Sequence, residues 1–271
     1  MIGVFDSGVG GLSLVRELFL KLPEFQVVYF GDTARVPYGT KGEEVIKRYA
    51  KEDVDFLISQ GAKIIIIACH TVSSVASDYL RKTFPKIPIF EVVTPGIEEA
   101  YQKSARQRIG VIGTSATVRS GLHKKLLQSI GQCEVIEKEC PLFVPLVEES
   151  FVNRPETIKI ARYYLRELKL KKIDTLILAC THYPFLKSVI KKVMGNQVRL
   201  IDPAVSAVNK LAEYLAANPE ISNSLLKNNN HQFFASDIPA KFAQISKKLF
   251  GKEIKIERVK MEIELTAKKY V

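Results

Sequence analysis

Two of the four cysteines in this chain of 271 residues occupy matching positions. Cys69 follows the apolar run at residues 64–68, and Cys180 follows a similar run at residues 176–179. A thiol on each side of a bound molecule suits inversion at a carbon centre, because one thiolate removes a proton from one face while the opposite thiol delivers a proton to the other. The pair therefore predicts two-base proton transfer, provided that the fold brings both sulfur atoms to one site.

Each thiol needs a neighbour, since a free thiol with a pKa of about 8.5 is mostly protonated at neutral pH. Asp6, at the end of the first apolar run, is the candidate proton acceptor for Cys69. His182 lies two residues after Cys180 and is the candidate proton acceptor for that thiol. A pair formed by Cys180 with His182 or His70 would also suit a cysteine hydrolase, although a hydrolase has no use for two equivalent thiols.

Polar groups at predicted strand-to-helix turns could hold an anionic substrate, since helix N-termini favour negative charge. These residues are Ser7, Thr71, Thr114, Thr117 and Thr181. The glycines at residues 8–11, followed by Asp32, superficially match a dinucleotide-binding fingerprint, but Ser13 stands at its third glycine position. We interpret those glycines as a tight turn with close helix–strand packing. Nothing in the pattern requires a metal ion or pyridoxal phosphate, so we expect neither.

Apolar runs rich in Ile and Val alternate with segments of helical periodicity along the chain. The predicted strands span residues 2–5, 26–30, 63–68, 87–90, 108–112, 133–137, 174–179, 198–200, 232–235 and about 254–259. The predicted helices span residues 11–21, 42–60, 73–83, 95–104, 118–130, 155–169, 184–194, 204–216 and 238–250. This alternation is typical of an α/β fold in which a mostly parallel sheet is covered by helices on both faces.

Three short segments recur, in the same order, in the second half of the chain. The matching segments are residues 2–7 with 109–114, residues 36–37 with 144–145, and residues 66–69 with 177–180. The repeat predicts two similar α/β domains related by an approximate two-fold axis, with a site in the cleft between them. We expect residues 1–94 plus 203–271 to form one domain and residues 95–202 to form the other.

The composition is ordinary for a globular protein, with 40 basic and 29 acidic residues and a net charge of +11. This charge favours anionic substrates, but the lysines are scattered in the manner of solvated helix faces, so a nucleic-acid partner is not expected. The longest apolar run is too short to span a membrane, and the first residues lack the pattern of a secretory signal. We therefore expect a cytoplasmic protein without a membrane partner.

The remaining cysteines and histidines carry weaker signals. No Cys-x-x-Cys pair is present, which argues against a zinc ribbon and predicts free thiols. We interpret Cys133 and Cys140 as packing residues, and we expect His123 and His231 to lie on the surface.

Four spaced motifs carry a family resemblance. They are DSGVGGL at residues 6–12, YFGDTARVPYG at residues 29–39, ACHT at residues 68–71 and ACTHYP at residues 179–184. Together they resemble the cofactor-independent glutamate racemases, from residue 2 to about residue 259, including Ser236-Asp237 near the end. The resemblance implies a two-domain enzyme that interconverts L- and D-glutamate to supply D-glutamate for peptidoglycan, commonly as a homodimer.

The resemblance also implies roles for individual residues. Cys69 would take the proton from D-glutamate and Cys180 from L-glutamate, assisted by Asp6, His182 and Glu148. The residue after Glu148 is also a glutamate, and the sequence does not decide which of the two faces the site. The substrate would be held by Asp6, Ser7, Tyr38, Gly39, His70, Thr71, Thr114, Thr117, Thr181 and His182.

One position departs from the family pattern. Asn usually follows the first cysteine, whereas this chain has His70, which would add positive charge beside Cys69 if it were protonated. The departure leaves open a racemase of a related acid such as aspartate, or a binding or regulatory protein that has kept the fold. Residues 261–271 extend beyond the usual end of the family and have no assigned role.

Overall fold

The fold is taken from a computed structural model, which describes residues 1–238 and 242–260. Ten strands lie within the described residues. In chain order they are β1 (Ile2–Asp6), β2 (Val27–Gly31), β3 (Ile64–Ile67), β4 (Ile89–Glu91), β5 (Arg108–Gly113), β6 (Glu134–Glu139), β7 (Thr175–Ala179), β8 (Arg199–Ile201), β9 (Gln232–Ala235) and β10 (Glu257–Arg258).

Twelve α-helices connect these strands in the same described part of the chain. They are α1 (Leu12–Lys21), α2 (Glu43–Ser59), α3 (His70–Thr83), α4 (Val93–Lys103), α5 (Ser115–Arg119), α6 (Leu122–Ile130), α7 (Phe143–Glu148), α8 (Pro155–Leu170), α9 (Lys187–Met194), α10 (Pro203–Ala217), α11 (Pro219–Ser224) and α12 (Phe242–Phe250).

The strands form two parallel sheets. The first has the order β10-β9-β2-β1-β3-β4 and the second has the order β6-β5-β7-β8. Four neighbouring strands of the first sheet, β2-β1-β3-β4, have the same order as the four of the second sheet, so that β1 corresponds to β5 and β3 to β7. We call the part of the molecule built on the first sheet the first lobe, and the part built on the second sheet the second lobe. The predicted α/β fold with parallel sheets is confirmed.

Helices cover both faces of each sheet, which explains why strands β1, β3 and β7 are buried along their whole length and consist mostly of apolar residues. In the first lobe, α1 and α10 pack on one face while α2 and α3 pack on the other. In the second lobe, α7, α8 and α9 cover one face while α4 and α6 cover the other. Because both sheets are parallel, the carboxyl ends of their strands, and the turns that follow them, lie at one edge of each sheet.

Several elements differ from their sequence-based prediction. The helix predicted over residues 118–130 is two helices, α5 and α6, because Gly121 between them adopts a left-handed backbone with φ of +62°. Helices α7 and α11 were not predicted, and the last predicted strand is reduced to the two residues of β10. Helix α3 begins at His70, three residues earlier than expected. Residues 239–241 of the predicted helix 238–250, and residues 261–271, lie outside the described residues.

The proposed division into 1–94 plus 203–271 and 95–202 remains a prediction. The first sheet draws its strands from residues 2–91 and 232–258, and the second draws its strands from residues 108–201. Helices α4 and α10 pack against each other between the two sets of strands.

Candidate active site

The residues predicted to carry chemistry follow the central strands of both lobes. Asp6 is the last residue of β1, and Cys69 lies two residues beyond the end of β3. In the second lobe, Thr114 follows β5 and Cys180 follows β7. Since β1 and β3 pair in the first sheet as β5 and β7 pair in the second, the two lobes present equivalent turns.

The Asp6 carboxylate organises the first turn and joins the two lobes. Its Oδ2 accepts hydrogen bonds from the backbone N–H groups of Gly8 and Gly11, each at 3.1 Å. Its Oδ1 accepts a hydrogen bond from the hydroxyl of Thr181 in the second lobe at 3.3 Å. Burial raises the pKa of Asp6, and the nearby His182 and these hydrogen bonds oppose that rise. Three groups therefore donate hydrogen bonds to the carboxylate of Asp6. Its role as the proton acceptor for Cys69 stays a prediction.

The Cys69 thiol lies in a hydroxyl-lined, buried environment. Its Sγ is 3.4 Å from Oγ of Ser7, and the residue is 5% exposed. Burial and the charge of Asp6 raise the pKa of Cys69 to about 12, although hydrogen bonds with Ser7 and the Val72 backbone act in the opposite direction. Cys69 also immediately precedes α3, so the positive end of that helix dipole faces the sulfur-bearing residue.

The Cys180 thiol begins a relay of side chains within the second lobe. Its Sγ lies 3.9 Å from Nδ1 of His182, and Nε2 of His182 lies 3.1 Å from a carboxylate oxygen of Glu148. Burial lowers the pKa of His182, but the hydrogen bonds and charges of Cys180 and Glu148 outweigh it and raise the pKa to about 10. An imidazole held in its protonated form beside a thiol stabilises the thiolate. Of the two adjacent glutamates, it is Glu148 that reaches His182.

Three threonine hydroxyls meet where the lobes face each other. Oγ1 of Thr71 in the first lobe lies 3.1 Å from that of Thr114 and 3.4 Å from that of Thr117, both in the second lobe. The Thr114 and Thr117 hydroxyls are themselves 3.0 Å apart. This cluster lies at the first turn of α3, so hydroxyls and backbone N–H groups suited to a carboxylate are close together.

The Tyr38-Gly39 segment reaches the same cluster from the first lobe. A Cβ placed on Gly39 would lie only 2.9 Å from Cβ of Thr114, so a side chain here would push the lobes apart. The hydroxyl of Tyr38 donates to the Asp32 carboxylate and lies 3.2 Å from an oxygen of Asp53, and the residue is buried. Tyr38 thus anchors the segment, and the part of the segment nearest to Thr114 is the backbone of Gly39.

Sequence reasoning missed the ionic network that holds this segment. Arg35 contacts Asp32 through Nε at 2.5 Å, Asp53 through Nη2 at 3.0 Å, and Glu52 through Nη1. The only signal for it in the sequence was an arginine and an aspartate inside the motif at residues 29–39, and the helix residues that complete it are distant in the chain.

A second feature that sequence reasoning missed is the contact of the glycine turn with the opposite lobe. A Cβ on Gly10 would lie 2.8 Å from Nδ1 of His182, so the turn packs directly on the Thr181-His182 segment. The prediction of close packing for the glycines at residues 8–11 named a helix–strand contact within one lobe, whereas this contact crosses between lobes.

The prediction that His123 is a surface residue is wrong. His123 is fully buried, and it lies beside His70 with ring centroids 5.9 Å apart. The signal was its spacing of four residues from the buried Leu127 on the same face of α6. His231 is partly buried and stacks on Phe19, while Cys140 is buried and Cys133 partly so.

Two kinds of feature are absent from the described residues. Residues 1–238 and 242–260 contain no group of three or more His, Cys, Asp or Glu side chains that could hold a metal ion. Over the same part of the chain, none of the helices combines the length and the apolar character needed to cross a bilayer.

Comparison with known proteins agrees with this geometry. Residues 12–211 match the family model described as Asp/Glu/Hydantoin racemase. The chain is 43% identical to a glutamate racemase of Chlorobaculum tepidum over 254 residues, which covers 93% of each protein, and 41% identical to one of Aquifex aeolicus, which covers 93% of this chain and 95% of the relative.

Solved structures give the same result. A glutamate racemase of Francisella tularensis in complex with D-glutamate is 38% identical and superposes with a TM-score of 0.89, covering 96% of this chain and 97% of that one. The glutamate racemase of Aquifex pyrophilus is 38% identical with a TM-score of 0.80, covering 95% and 97%. Since the family model matches most of the chain and these relatives are similar over nearly its whole length, the chain belongs to the Asp/Glu/Hydantoin racemase family.

Proposed function

We propose that the protein is a glutamate racemase that inverts Cα by proton transfer between Cys69 and Cys180. The observation that carries the proposal is the equivalence of β3 and β7, which places one cysteine at the end of each while Asp6 and Thr181 bond the two turns across the lobes. Relatives about 40% identical over nearly the whole chain bear the name glutamate racemase, which supports glutamate as the substrate.

The reaction needs one thiolate and one thiol at the start of each turnover. With L-glutamate, the Cys180 thiolate takes the Cα proton and becomes a thiol, and the electron pair left on carbon is delocalised into the α-carboxylate. The Cys69 thiol then donates its proton to the opposite face, which yields D-glutamate and a Cys69 thiolate. The reverse reaction begins from that state, so the two thiols exchange roles.

The surrounding groups have separate tasks in this scheme. The Glu148–His182 relay stabilises the Cys180 thiolate, and Ser7 with the first turn of α3 stabilises that of Cys69. We assign the threonine cluster, Gly39, His70 and Thr181 to substrate binding, with Tyr38 as the anchor of its segment. Supply of D-glutamate to peptidoglycan, a cytoplasmic location and a homodimer remain predictions.

The proposal is tested by incubating the purified protein with L-glutamate in deuterium oxide, without added metal or pyridoxal phosphate. We expect D-glutamate with deuterium at Cα, measured by chiral chromatography and mass spectrometry. Exchange into aspartate but not glutamate would support a racemase of the related acid. Absence of exchange with either amino acid would refute racemisation and favour a binding or regulatory protein.

Single cysteine variants test the mechanism. Cys69→Ala and Cys180→Ala should each lower racemisation by about 10³-fold or more, because each removes one of the two proton-transfer groups. Cys133→Ala is the matched control, since Cys133 is partly buried in the second lobe away from the relay, and its rate should stay within about twofold of the parent. A Cys69→Ala protein with parental activity would contradict the two-thiol mechanism.

A further inference from the structure

Two histidines meet at the interface between the lobes. His70 is the first residue of α3 in the first lobe, and His123 is the second residue of α6 in the second lobe. Their rings are nearly parallel, with an interplanar angle of 24° and centroids 5.9 Å apart. Both side chains are buried, His70 at 4% exposure and His123 at 0%.

The polar atoms of this pair are poorly satisfied. Nδ1 of His70 and both ring nitrogens of His123 are buried and have no hydrogen-bond partner in the part of the chain that the structure describes. A buried polar atom without a partner destabilises a protein, so two apolar side chains of similar size would give a more stable interface. Stability alone therefore does not account for imidazoles at these positions.

Three physical effects keep both rings neutral. Burial lowers the pKa of His70 well below its usual value, and the neighbouring His123 lowers it further. Burial lowers the pKa of His123 to about 4. Both residues also lie in the first turn of a helix, where the helix dipole disfavours a positive charge.

The charged groups on the surrounding elements have partners of their own. Asp202, which lines a small cavity with His70, pairs with Lys187 at 2.7 Å. The carboxylate of Glu91, at the end of β4, accepts hydrogen bonds from the first backbone N–H groups of α4. On the second lobe, Glu137 of β6 interacts with Lys124 of α6. Besides burial, His123 is thus the neighbour that affects the charge of His70.

His70 lies between two groups of the candidate site. Cys69 precedes it and contacts Ser7, and Thr71 follows it and joins the threonine cluster. The cavity beside His70 is also lined by Cys180 and Thr181. A charge on His70 would favour the thiolate on the Cys69 side and strengthen binding of the α-carboxylate, whereas a neutral ring offers one hydrogen-bond donor and one acceptor.

We propose that His123 is a positioning residue for His70, whose ring it packs against and holds in one orientation from the opposite lobe. Position 70 then contacts the bound amino acid as a neutral hydrogen-bonding group. The inference rests on the proposed function only for the identity of the bound molecule, because the stacked pair is a property of the protein itself.

A double-mutant cycle tests the coupling of the two rings. His123→Ala should raise KM for glutamate by about threefold to tenfold, with a smaller change in kcat, because it frees the His70 ring. In a His70→Asn background the same substitution should leave KM within about twofold. His123→Phe keeps a ring in contact with His70 and should restore much of the parental KM. An equal rise in KM with and without His70 would overturn the proposal.

A second measurement determines the protonation states of His70 and His123 without any enzymatic reaction. Nitrogen NMR of the four imidazoles should show His70 and His123 neutral at pH 7, and His70 should become protonated at higher pH in His123→Ala than in the parent. His231→Phe, which removes a partly buried imidazole outside the site, should change neither signal. A charged His70 at pH 7 in the parent would overturn the proposal. If the parent shows no Cα exchange, the proposed function fails while this measurement still decides the pairing.

Discussion

Cys69 and Cys180 occupy equivalent positions in the two lobes, yet their surroundings are built differently. Both are buried and follow equivalent strands, β3 and β7. After β3 the chain enters α3 at once, a helix of 14 residues, so Cys69 lies at a helix N-terminus with backbone N–H groups and Ser7 near its sulfur. After β7 the chain makes a 3₁₀ turn at Tyr183–Leu186, and the sulfur of Cys180 is near an imidazole instead.

The comparison shows that the repeated fold determines the position of each thiol, whereas the residues around the thiol determine how readily it loses its proton. Cys180 has a side chain, His182, that can hold a positive charge, and Glu148 helps to keep it protonated. Cys69 has only dipoles, with the buried Asp6 raising its pKa. We therefore expect the two halves of the reaction to differ in their sensitivity to substitution.

Among the residues that surround the two thiols, substitution of His182 should give the largest effect. His182→Asn removes the charge beside Cys180 and should lower kcat/KM by about 10²–10³-fold. The equilibrium constant between enantiomers is one, so kcat/KM must fall equally in both directions. The asymmetry appears in kinetic isotope effects with substrate deuterated at Cα, which should increase for L-glutamate and decrease for D-glutamate. Equal isotope effects for the two enantiomers would contradict the assignment of His182 to Cys180.

Substitution of Ser7 tests the other half and should have a smaller effect. Ser7→Ala removes a hydrogen bond that lowers the pKa of Cys69, and it should reduce kcat/KM by about tenfold. Here the isotope effect should increase for D-glutamate and decrease for L-glutamate, the reverse of the pattern for His182→Asn.

The control for Ser7 is Ser74→Ala. The Ser74 hydroxyl is buried on α3 and has no hydrogen-bond partner within the described residues, so its loss should change kcat/KM by less than about twofold. If Ser74→Ala slows the reaction as much as Ser7→Ala, the effect reflects the packing of α3 and not the Cys69 hydrogen bond.

Much of the fold could be predicted because the strands are buried on both faces. Runs such as residues 64–67 are continuously apolar, and the repeat in the sequence corresponds to the shared strand order of the two lobes. The break at Gly121 could not be predicted with confidence from periodicity, because the apolar pattern of residues 118–130 continues through it. Short helices such as α7 depend on packing with distant residues more than on local propensity.

The same distinction between local patterns and long-range contacts applies to the candidate site. Asp6, Cys69 and Cys180 were predicted from their place at strand ends, which is a local property. The choice between the two glutamates at the end of α7, the packing of Gly10 on His182, and the burial of His123 all depend on how one segment meets a distant one. Such contacts leave only weak traces in a single sequence, and so the contact of Glu148 with His182 and that of Ser7 with Cys69 had to come from the structure.

Substitution of Glu148 should give the smallest effect and sharpens the comparison through pH. The hydrogen bond and charge of Glu148 help to raise the pKa of His182 from 6.5 to about 10. Glu148→Gln can keep a hydrogen bond but loses the charge, so the His182 imidazolium should lose its proton at lower pH. We expect the alkaline limb of the kcat/KM profile to move down by about one pH unit, with a loss of about threefold to tenfold near pH 10 and little change near pH 8.

The same substitution has a signed effect on stability. Because the pKa of His182 is higher in the folded protein than its usual value, its contribution is fully present below pH 6.5 and is lost as pH rises through about 10. Urea unfolding of the parent should therefore show a free energy of unfolding that decreases between pH 6.5 and pH 10, and Glu148→Gln should show a smaller decrease.

Glu149→Gln is the matched control for the pH profile, with the same charge change one residue away. If it moves the alkaline limb as far as Glu148→Gln does, the effect comes from general charge near the second lobe, and the relay to Cys180 loses its support.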